Sequence, residues 1–409
     1  MNKEQLEHTP QGLLSSNFGQ REKRAAAFAL LFSVLLEPSA QSRLQVLAEG
    51  NEVIDKTTGL IWKRCAQGQV WNGTVCPGAP SKFSFDAAMA VTFNPSGWRM
   101  PNIKELFSIA PKSDRSIYTE FHATFQNVSG EYWSATPQVP MPGAAWTVDF
   151  NYAATLPSLR FGPKHVRLVK NAFDSTEGKS WGQLNDTGIS SDQCVAPSTV
   201  GFVSCNSTAA ALYGNNQDAM TGRDATHPDG SDGQLGFSYK MLSRPDGNPY
   251  PATECVMDSV TGLMWEGKPS DGSIRNHADM FTNFDSALVP QVARGPGTGV
   301  ASQDELTGKG NTLGYIFAVN ASALCGFSDW RLPTADELTG LIHFGKTTPP
   351  MIESTWFPNT QPSMFYWTSE GHNTISGSAR IVNFSIGRTS STSRSTPGYI
   401  RLVRTSATR

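Results

Sequence analysis

The chain has 409 residues, 38% of them hydrophobic and 17% charged, with a formal net charge of −2. This length suggests about two or three domains. The 10 Trp and 37 Gly residues indicate a loop-rich globular chain rather than a disordered one. The composition excludes coiled coils, collagens and multi-span membrane proteins. Because the net charge is near zero, we expect no nucleic-acid partner.

The N-terminal segment has the pattern of a signal peptide. Basic residues precede a run from Ala25 to Leu36 that is apolar except for Ser33. Its length fits the ~7–15 residues of a signal-peptide core and falls short of the ~20 needed to span a bilayer. Small residues follow, so we place cleavage after Ala40 and assign 1–40 to the signal peptide. We therefore expect a periplasmic, cell-surface or secreted protein with no transmembrane span in the mature chain; a short buried helix is the alternative.

The six cysteines agree with export, because an even number of clustered cysteines is typical of oxidising compartments. Sequence alone does not choose among the connectivities that six cysteines allow. Loop closure is most probable within each cluster, which favours the disulfides Cys65–Cys76, Cys194–Cys205 and Cys255–Cys325. The short paired spacing of a zinc site, with histidines close by, is absent, so we expect no metal.

The same pattern of residues occurs twice in the chain. Val53–Trp62 is repeated as Val256–Trp265, and Gly97–Pro101 as Asp329–Pro333. Three shorter blocks follow in the same order in both copies. Equivalent residues are 203 positions apart in the first block, 232 in the second and 234 in the last three. The chain therefore divides into a first domain at 41–170, a Gly/Asp/Asn-rich connector at 171–254 with its own disulfide, and a second domain at 255–409.

Each repeated block has a structural interpretation. The Asp-x-x-Thr-Gly blocks predict hairpin turns, in which Gly supplies a positive φ and the Asp side chain closes the bend. The Trp-Arg-x-Pro blocks predict an extended segment and then a helix that begins at Asn102 or Thr334, with a capping-box Glu three residues on. The repeated residues that we assign to structure are Asp55, Gly59, Trp62, Trp98, Arg99, Pro101, Glu105, Trp133, Asp258, Gly262, Trp265, Trp330, Arg331, Pro333, Glu337 and Trp367.

The later blocks are short strands rich in aromatic and β-branched residues. Trp146, Val148 and Phe150 alternate along the chain and predict one buried face, with Thr147 and Asp149 on the outside.

Together the blocks resemble the Lcl C-terminal domain family, over roughly 52–170 and 254–405. The resemblance implies an α+β fold with two tandem C-type-lectin-like domains, found in exported bacterial proteins and associated with surface adhesion. It transfers no catalytic residue. The tripeptides with which calcium-dependent lectins hold a sugar are absent, so calcium-dependent sugar binding does not follow from the fold. The segments 185–188 and 217–225 resemble the connectors of multi-copy members.

Two polar segments are candidates for ligands. The Gly-rich connector carries Asp218, Asp224, Asp229 and Asp232, which we interpret as a solvated loop, with a calcium site as the alternative. The late part of the second copy carries arginines that could bind the sulfate or carboxylate of a glycan in a fork. We interpret Arg380, the first of these arginines, as a residue at the end of a strand. The alternative is that it faces a partner. The candidate ligand-binding residues are Arg380, Arg388, Arg394, His372 and Asn373.

The sequence contains no metalloprotease motif, nucleophile elbow or phosphate-binding loop. We therefore expect no enzyme activity and no cofactor. The leading hypothesis is an exported binding protein that attaches to a glycan or to another cell-surface component such as a protein. The alternative is a structural or assembly subunit of a surface appendage or envelope complex, and an extracellular glycan hydrolase is a third hypothesis.

Overall fold

The computed structural model describes residues 42–91, 97–112, 115–126, 128–171, 184–223, 235–284, 310–372, 375 and 377–406. The predicted signal peptide, Asn373 and the aspartates at 224, 229 and 232 lie outside these residues. The described residues belong to one compact unit, Ser42–Arg409. They form an α+β structure of small antiparallel sheets, a few short helices and three disulfides.

The two copies have their elements in the same order. The first copy contains β1 (Leu44–Val46), β2 (Glu52–Asp55), β3 (Leu60–Lys63), α1 (Phe85–Val91), α2 (Ile103–Ser108), α3 (Arg115–Thr124), β4 (Glu131–Pro137), β5 (Ala144–Asp149), β6 (Ala154–Leu159) and β7 (Val169–Asn171). The connector contributes α4 (Thr208–Ala211), β8 (Tyr239–Lys240) and 3-10 turns at Gly214–Asn216 and Asp218–Met220. The second copy contains β9 (Cys255–Asp258), β10 (Leu263–Glu266), α5 (Thr312–Ala321), a 3-10 turn at Leu324–Gly326, α6 (Ala335–Gly340), β11 (Phe365–Gly371), β12 (Ser378–Asn383), β13 (Arg388–Ser393) and β14 (Val403–Thr405).

Each copy contributes a three-stranded sheet, β4-β5-β6 or β11-β12-β13, and takes part in a four-stranded one, β1-β2-β3-β7 or β14-β10-β9-β8. The predicted hairpins are confirmed, with Val53 opposite Trp62 in the first copy. Gly59 and Gly262 have φ values of +69° and +70°, which suit glycine. The Asp55 carboxylate closes the first turn by accepting from the amide of Thr57 and the hydroxyl of Thr58.

The two predicted capping boxes are also confirmed. Asn102 caps α2 and Thr334 caps α6, and in each case the Glu side chain three residues later returns to the cap amide. The Glu105 carboxylate is held by two nitrogens of Arg99, and Arg331 and Glu337 form the equivalent pair. The repeated Glu thus fastens the start of a helix to the preceding extended segment.

The three disulfides join Cys65 to Cys76, Cys194 to Cys205 and Cys255 to Cys325, the pairs expected from the spacing. The first two each close a loop of 11 residues, and the third joins β9 to the 3-10 turn after α5 across 70 residues. Closure of long loops restricts the unfolded chain most in the loop-entropy account.

The face predicted for β5 is only partly correct. Trp146, Val148 and Phe150 do lie in the core. Thr147, predicted to lie outside, is fully buried, and its hydroxyl bonds the carbonyl of Leu156 and the carboxylate of Glu131. The prediction failed because the opposite face of this sheet is also covered, in part by the apolar cluster that contains Ala145 and Trp133, and the alternation within one strand does not show this second layer.

The two copies meet at a local pseudo-two-fold contact. Thr155 of β6 and Thr389 of β13 are equivalent positions, 234 residues apart. The amide of Thr155 donates to Thr389 Oγ1 at 3.0 Å, and the amide of Thr389 donates to Thr155 Oγ1 at 2.8 Å. Both residues are buried, so each hydroxyl satisfies a backbone group that water does not reach.

Changing Thr389→Val should lower the free energy of unfolding by about 1–3 kcal/mol, because the shape is kept while the buried amide of Thr155 loses its acceptor. Urea denaturation with the disulfides intact would measure the loss. Thr392→Val, at a half-buried position on the same strand, is the matched control, with an expected change within about 0.5 kcal/mol. Equal losses for the two variants would contradict the assigned role of the Thr389 hydroxyl.

The described parts of the connector pack between the copies. A single hydrophobic cluster includes Trp62 of the first copy, Ile189 of the connector and Trp265 of the second copy. The buried ammonium of Lys104 donates to the carbonyl of Asp186 at 2.6 Å and to that of Gly340 at 2.8 Å. One side chain of the first copy therefore contacts both the connector and the second copy.

Within the part of the chain that the structure describes, none of the helices has the length and apolar character that crossing a membrane requires.

Candidate functional site

A cleft of about 290 Å³ lies on the first copy, beside the loop that follows β3. It contains two indole rings, three side-chain amides and an ammonium group. Its lining residues are Asn51, Lys63, Cys65, Ala66, Gln67, Gln69, Val70, Trp71, Trp98 and Leu168. This volume is close to the lower limit of about 300 Å³ for small-molecule sites.

Trp71 is positioned by its own loop. The Cys65–Cys76 disulfide closes that loop at its base. The guanidinium of Arg64 lies 3.9 Å from the centre of the Trp71 ring and also donates to the carbonyl of Gly50 at 3.0 Å. A Cβ at position 50 would lie 2.9 Å from the indole nitrogen, so glycine is needed for this approach. The indole is therefore held in place before any ligand arrives.

Trp98 forms the deeper part of the cleft. The ammonium groups of Lys63 and Lys170 lie 4.1 Å and 4.5 Å from the centre of its ring. Glu52 accepts from Lys170 at 2.9 Å and from Lys63 at 3.4 Å. Partial burial opposes ionisation of Glu52, but the ammonium of Lys170 and then that of Lys63 outweigh it and lower the pKa of the carboxyl. Glu52 is therefore ionised at neutral pH and fixes both lysines over the indole.

The charge around the cleft is positive. Glu52 pairs with both Lys63 and Lys170, Arg64 adds a third positive charge, and none of the ten lining residues is acidic. A cleft of this kind offers an aromatic face to an apolar surface and ammonium or amide groups to polar substituents.

Arg380, one of the residues predicted to bind a ligand, is buried. Its side chain is only 1% exposed, and it is the third residue of β12, not a strand end. Its guanidinium donates to the carbonyls of Tyr152 and Ala153 at 2.9 Å and to that of Lys112 at 3.2 Å, all in the first copy. It therefore joins the two copies and is not available to a ligand at the surface.

The other two candidate arginines of the second copy do not form one site. Arg394 is 9% exposed and its guanidinium donates to Asn283. Arg388 is half-buried, and its Nε contacts the carbonyl of Thr155 at 3.4 Å. Arg388 begins β13 and Arg394 directly follows its last residue, so the two Cα atoms lie about 20 Å apart at ~3.3 Å per residue, too far for a single fork. His372 is half-buried, and desolvation, together with nearby Arg380, lowers its pKa.

Trp71 was not among the residues predicted to bind a ligand. A signal for it exists, since a tryptophan stands in a polar, disulfide-closed loop and the position 203 residues later is Ile274. The repeated tryptophans at positions 133 and 367 are fully buried, and their indole nitrogens donate to the carbonyls of Phe83 and Phe281. A tryptophan outside the repeat pattern was therefore the better candidate for binding.

The connector holds a small polar cavity of about 30 Å³, lined in part by Asn185 and Asp186. Nearby Asp218 is buried and accepts from the Thr187 hydroxyl at 3.1 Å. Burial, and then the charge of Asp186, raise the pKa of Asp218 to about 7. Among the described residues, no three His, Cys, Asp or Glu side chains are grouped so that they could hold a metal ion. The calcium site that was the alternative for Asp218 gains no support from this position.

A larger cleft of about 590 Å³ lies on the second copy and is lined by residues such as Ile274, Asp279 and Met280. It reaches Gly310, the first described residue after the undescribed 285–309. We therefore assign no site to it.

The model of the family described as the Lcl C-terminal domain matches residues 51–170 and 254–404. The two matches cover about two thirds of the chain and coincide with its two copies. Comparison with curated proteins and with solved structures finds no match.

Proposed function

Since the chain belongs to the Lcl C-terminal domain family, we propose that it is an exported, non-catalytic binding protein that attaches to a glycan through the Trp71–Trp98 cleft. The observation that carries this proposal is the positioned, partly exposed indole of Trp71 beside amide and ammonium groups. The three disulfides support export, because such bonds persist outside the reducing cytosol. We further propose that each copy has a C-type-lectin-like fold, which the small antiparallel sheets and short capped helices support.

The cleft has the size and chemistry to take one or two sugar residues. The apolar face of a pyranose ring packs on an aromatic face, and its hydroxyl groups take hydrogen bonds from amides. Trp71 is partly exposed and held by Arg64, so little side-chain freedom is lost when a sugar binds.

The surplus positive charge favours an acidic sugar within this proposal. The ammonium groups of Lys63 and Lys170 can bind a carboxylate or sulfate, because within the described part of the chain the two share a single carboxylate, that of Glu52. Since no acidic residue lines the cleft, we propose that binding does not depend on calcium, which prefers several oxygen ligands including carboxylates.

Binding of the purified, oxidised protein to a broad glycan array, with calcium and with chelator, tests the proposal. We expect selective binding in both conditions. Trp71→Ala should weaken it at least tenfold, since loss of the stacking contact costs about 1.4 kcal/mol or more. Phe161→Ala, which removes an aromatic ring that is 79% exposed and lies outside the lining of the cleft, is the matched control and should bind as the native protein does.

Selective binding that persists in Trp71→Ala would keep the glycan function and reject the cleft as its site. Absence of binding to any glycan would reject the function itself. Release of new reducing ends from a bound glycan would instead indicate the hydrolase. Each outcome therefore has a separate readout.

An assembly role is the alternative, and one observation favours it. Apolar side chains are exposed together where the β5–β6 hairpin meets the connector. A Cβ at Gly143 would lie 3.7 Å from Val200, and the amide of Arg160 donates to the carbonyl of Gly143. The exposed residues of this patch are Met141, Leu159, Phe161 and Val200. Capture of an envelope protein that is lost in Phe161→Ala, together with an empty glycan array, would support this role.

A further inference from the structure

A buried lysine of the first copy contacts an aspartate of the second. Lys112, which follows α2, is 4% exposed. Its Nζ lies 2.8 Å from Oδ1 of Asp336, in the first turn of α6. Since the carboxyl carbon is one bond from Oδ1, Nζ is already close to the atom with which an amide would form.

A third ionisable group lies beside this pair. Oε2 of Glu370 accepts from the amide of Ala335 at 2.6 Å, and Ala335 directly precedes Asp336. Burial raises the pKa of Glu370, although the charge of Lys112 opposes the rise. Burial also lowers the pKa of Lys112, against the attraction of Asp336 and Glu370. The first shift favours a protonated Glu370 carboxyl, and the second favours a neutral Lys112 amine.

From the Lys112–Asp336 contact and the adjacent Glu370, we propose that Lys112 and Asp336 condense to an isopeptide bond that joins the two copies covalently. Glu370 is the proton-transfer group. This inference concerns the scaffold and does not depend on the glycan-binding proposal.

The step is a dehydration without oxidation or reduction. A proton passes from the Lys112 ammonium to the Asp336 carboxylate, and the amine lone pair then forms the Nζ–Cγ bond. The Glu370 carboxyl protonates the departing hydroxyl group and receives a proton from the nitrogen, so that it ends unchanged. The Cγ–O bond breaks and one water leaves, for which the 27% exposure of the Asp336 side chain provides a path.

Two features of the site favour condensation over a permanent ion pair. The reacting groups are held in contact, and well-oriented intramolecular reactions reach effective molarities of about 10⁵–10⁸ M. Lys112 also donates to the carbonyl of Phe107 at 2.7 Å, and the single N–H of the amide product can keep this shortest bond. An ordinary ion pair that caps the end of α2 is the competing interpretation, and it predicts no loss of mass.

Intact mass spectrometry of the full chain, disulfide-reduced and denatured, tests the proposal. We expect a mass lower than the sequence mass by one water, and a branched proteolytic peptide that contains both Lys112 and Asp336. Lys112→Arg and Asp336→Ala should both restore the full mass. Glu370→Gln should leave most of the protein uncondensed, because the side-chain amide does not relay protons.

A cyclic imide at Asp336 would also lose one water, but it would persist in Lys112→Arg and give no branched peptide. That result, or a native protein at its full sequence mass, would overturn the proposal. Since the decisive reading is made on the native chain, it does not require that the variants fold.

Discussion

Replacing Arg380 with methionine is expected to lower the free energy of unfolding by about 3–5 kcal/mol, because several carbonyls lose one charged donor and each buried group left unsatisfied costs about 1–3 kcal/mol. The methionine keeps much of the volume but donates no hydrogen bond. The carbonyls of Tyr152, Ala153 and Lys112 then lose their donor at the boundary between the copies. Urea denaturation at neutral pH, with the disulfides intact, measures the change.

The matched control is Arg388→Met. Arg388 lies on the adjacent strand β13, is half-buried and makes one long contact, 3.4 Å from its Nε to a carbonyl. We expect a change within about 0.5 kcal/mol. If the two variants lost the same stability, Arg380 would have no special part in joining the copies.

Replacing Asp218 with asparagine is expected to stabilise the protein at pH 8 and to leave its stability at pH 4 nearly unchanged. Burial, and then Asp186, raise the pKa of Asp218 from its ordinary 3.8 to about 7. A group whose pKa is raised in the folded state contributes stability below the unfolded pKa, and this contribution is lost as the pH rises through the folded pKa. Asparagine resembles the protonated acid at every pH, so it removes this loss.

The quantity to measure is the unfolding free energy of Asp218→Asn minus that of the native chain, at pH values between 4 and 8. It should rise from about pH 4 to about pH 7 and then level off. The rise should be on the order of a few kcal/mol, since one pKa unit is worth about 1.4 kcal/mol. Asp246→Asn is the control, because hydrogen bonds from Asn248 lower the pKa of this exposed carboxyl. A difference that does not change with pH would show that Asp218 ionises normally.

Local features of the fold could be predicted because they are encoded within a few residues. The turn at Gly59 depends on a φ that glycine adopts freely, and the helix start at Asn102 depends on a partner three residues later. The pairing of Cys65 with Cys76 follows from the ease of closing a short loop. The repeat made these predictions more secure, because a turn or cap pattern that occurs in both copies seldom arises by chance.

Features that depend on the contact between the copies could not be predicted. Arg380 stands in an apolar strand pattern, and only the packing of β12 against the first copy shows which carbonyls it satisfies. Thr147 follows the pattern of an outward residue, yet it is fully buried and its hydroxyl donates to the carboxylate of Glu131. The candidate cleft was not predicted for a different reason. Trp71 has no counterpart in the second copy, so a comparison of repeated residues does not identify it.

The equivalent positions Trp146 and Arg380 show what becomes possible when two copies are parts of one polypeptide chain. Trp146 packs on Phe344 of the second copy with ring centres 5.2 Å apart, whereas Arg380 binds carbonyls of the first. In a symmetric homodimer, one residue would have to serve both roles, since a two-fold interface presents the same surface twice. Within one chain the two sides can specialise independently. If either copy were produced alone and paired with itself, the interface would contain two tryptophans or two arginines, where the native protein has one tryptophan and one arginine. The native contacts could not form on both sides of such an interface.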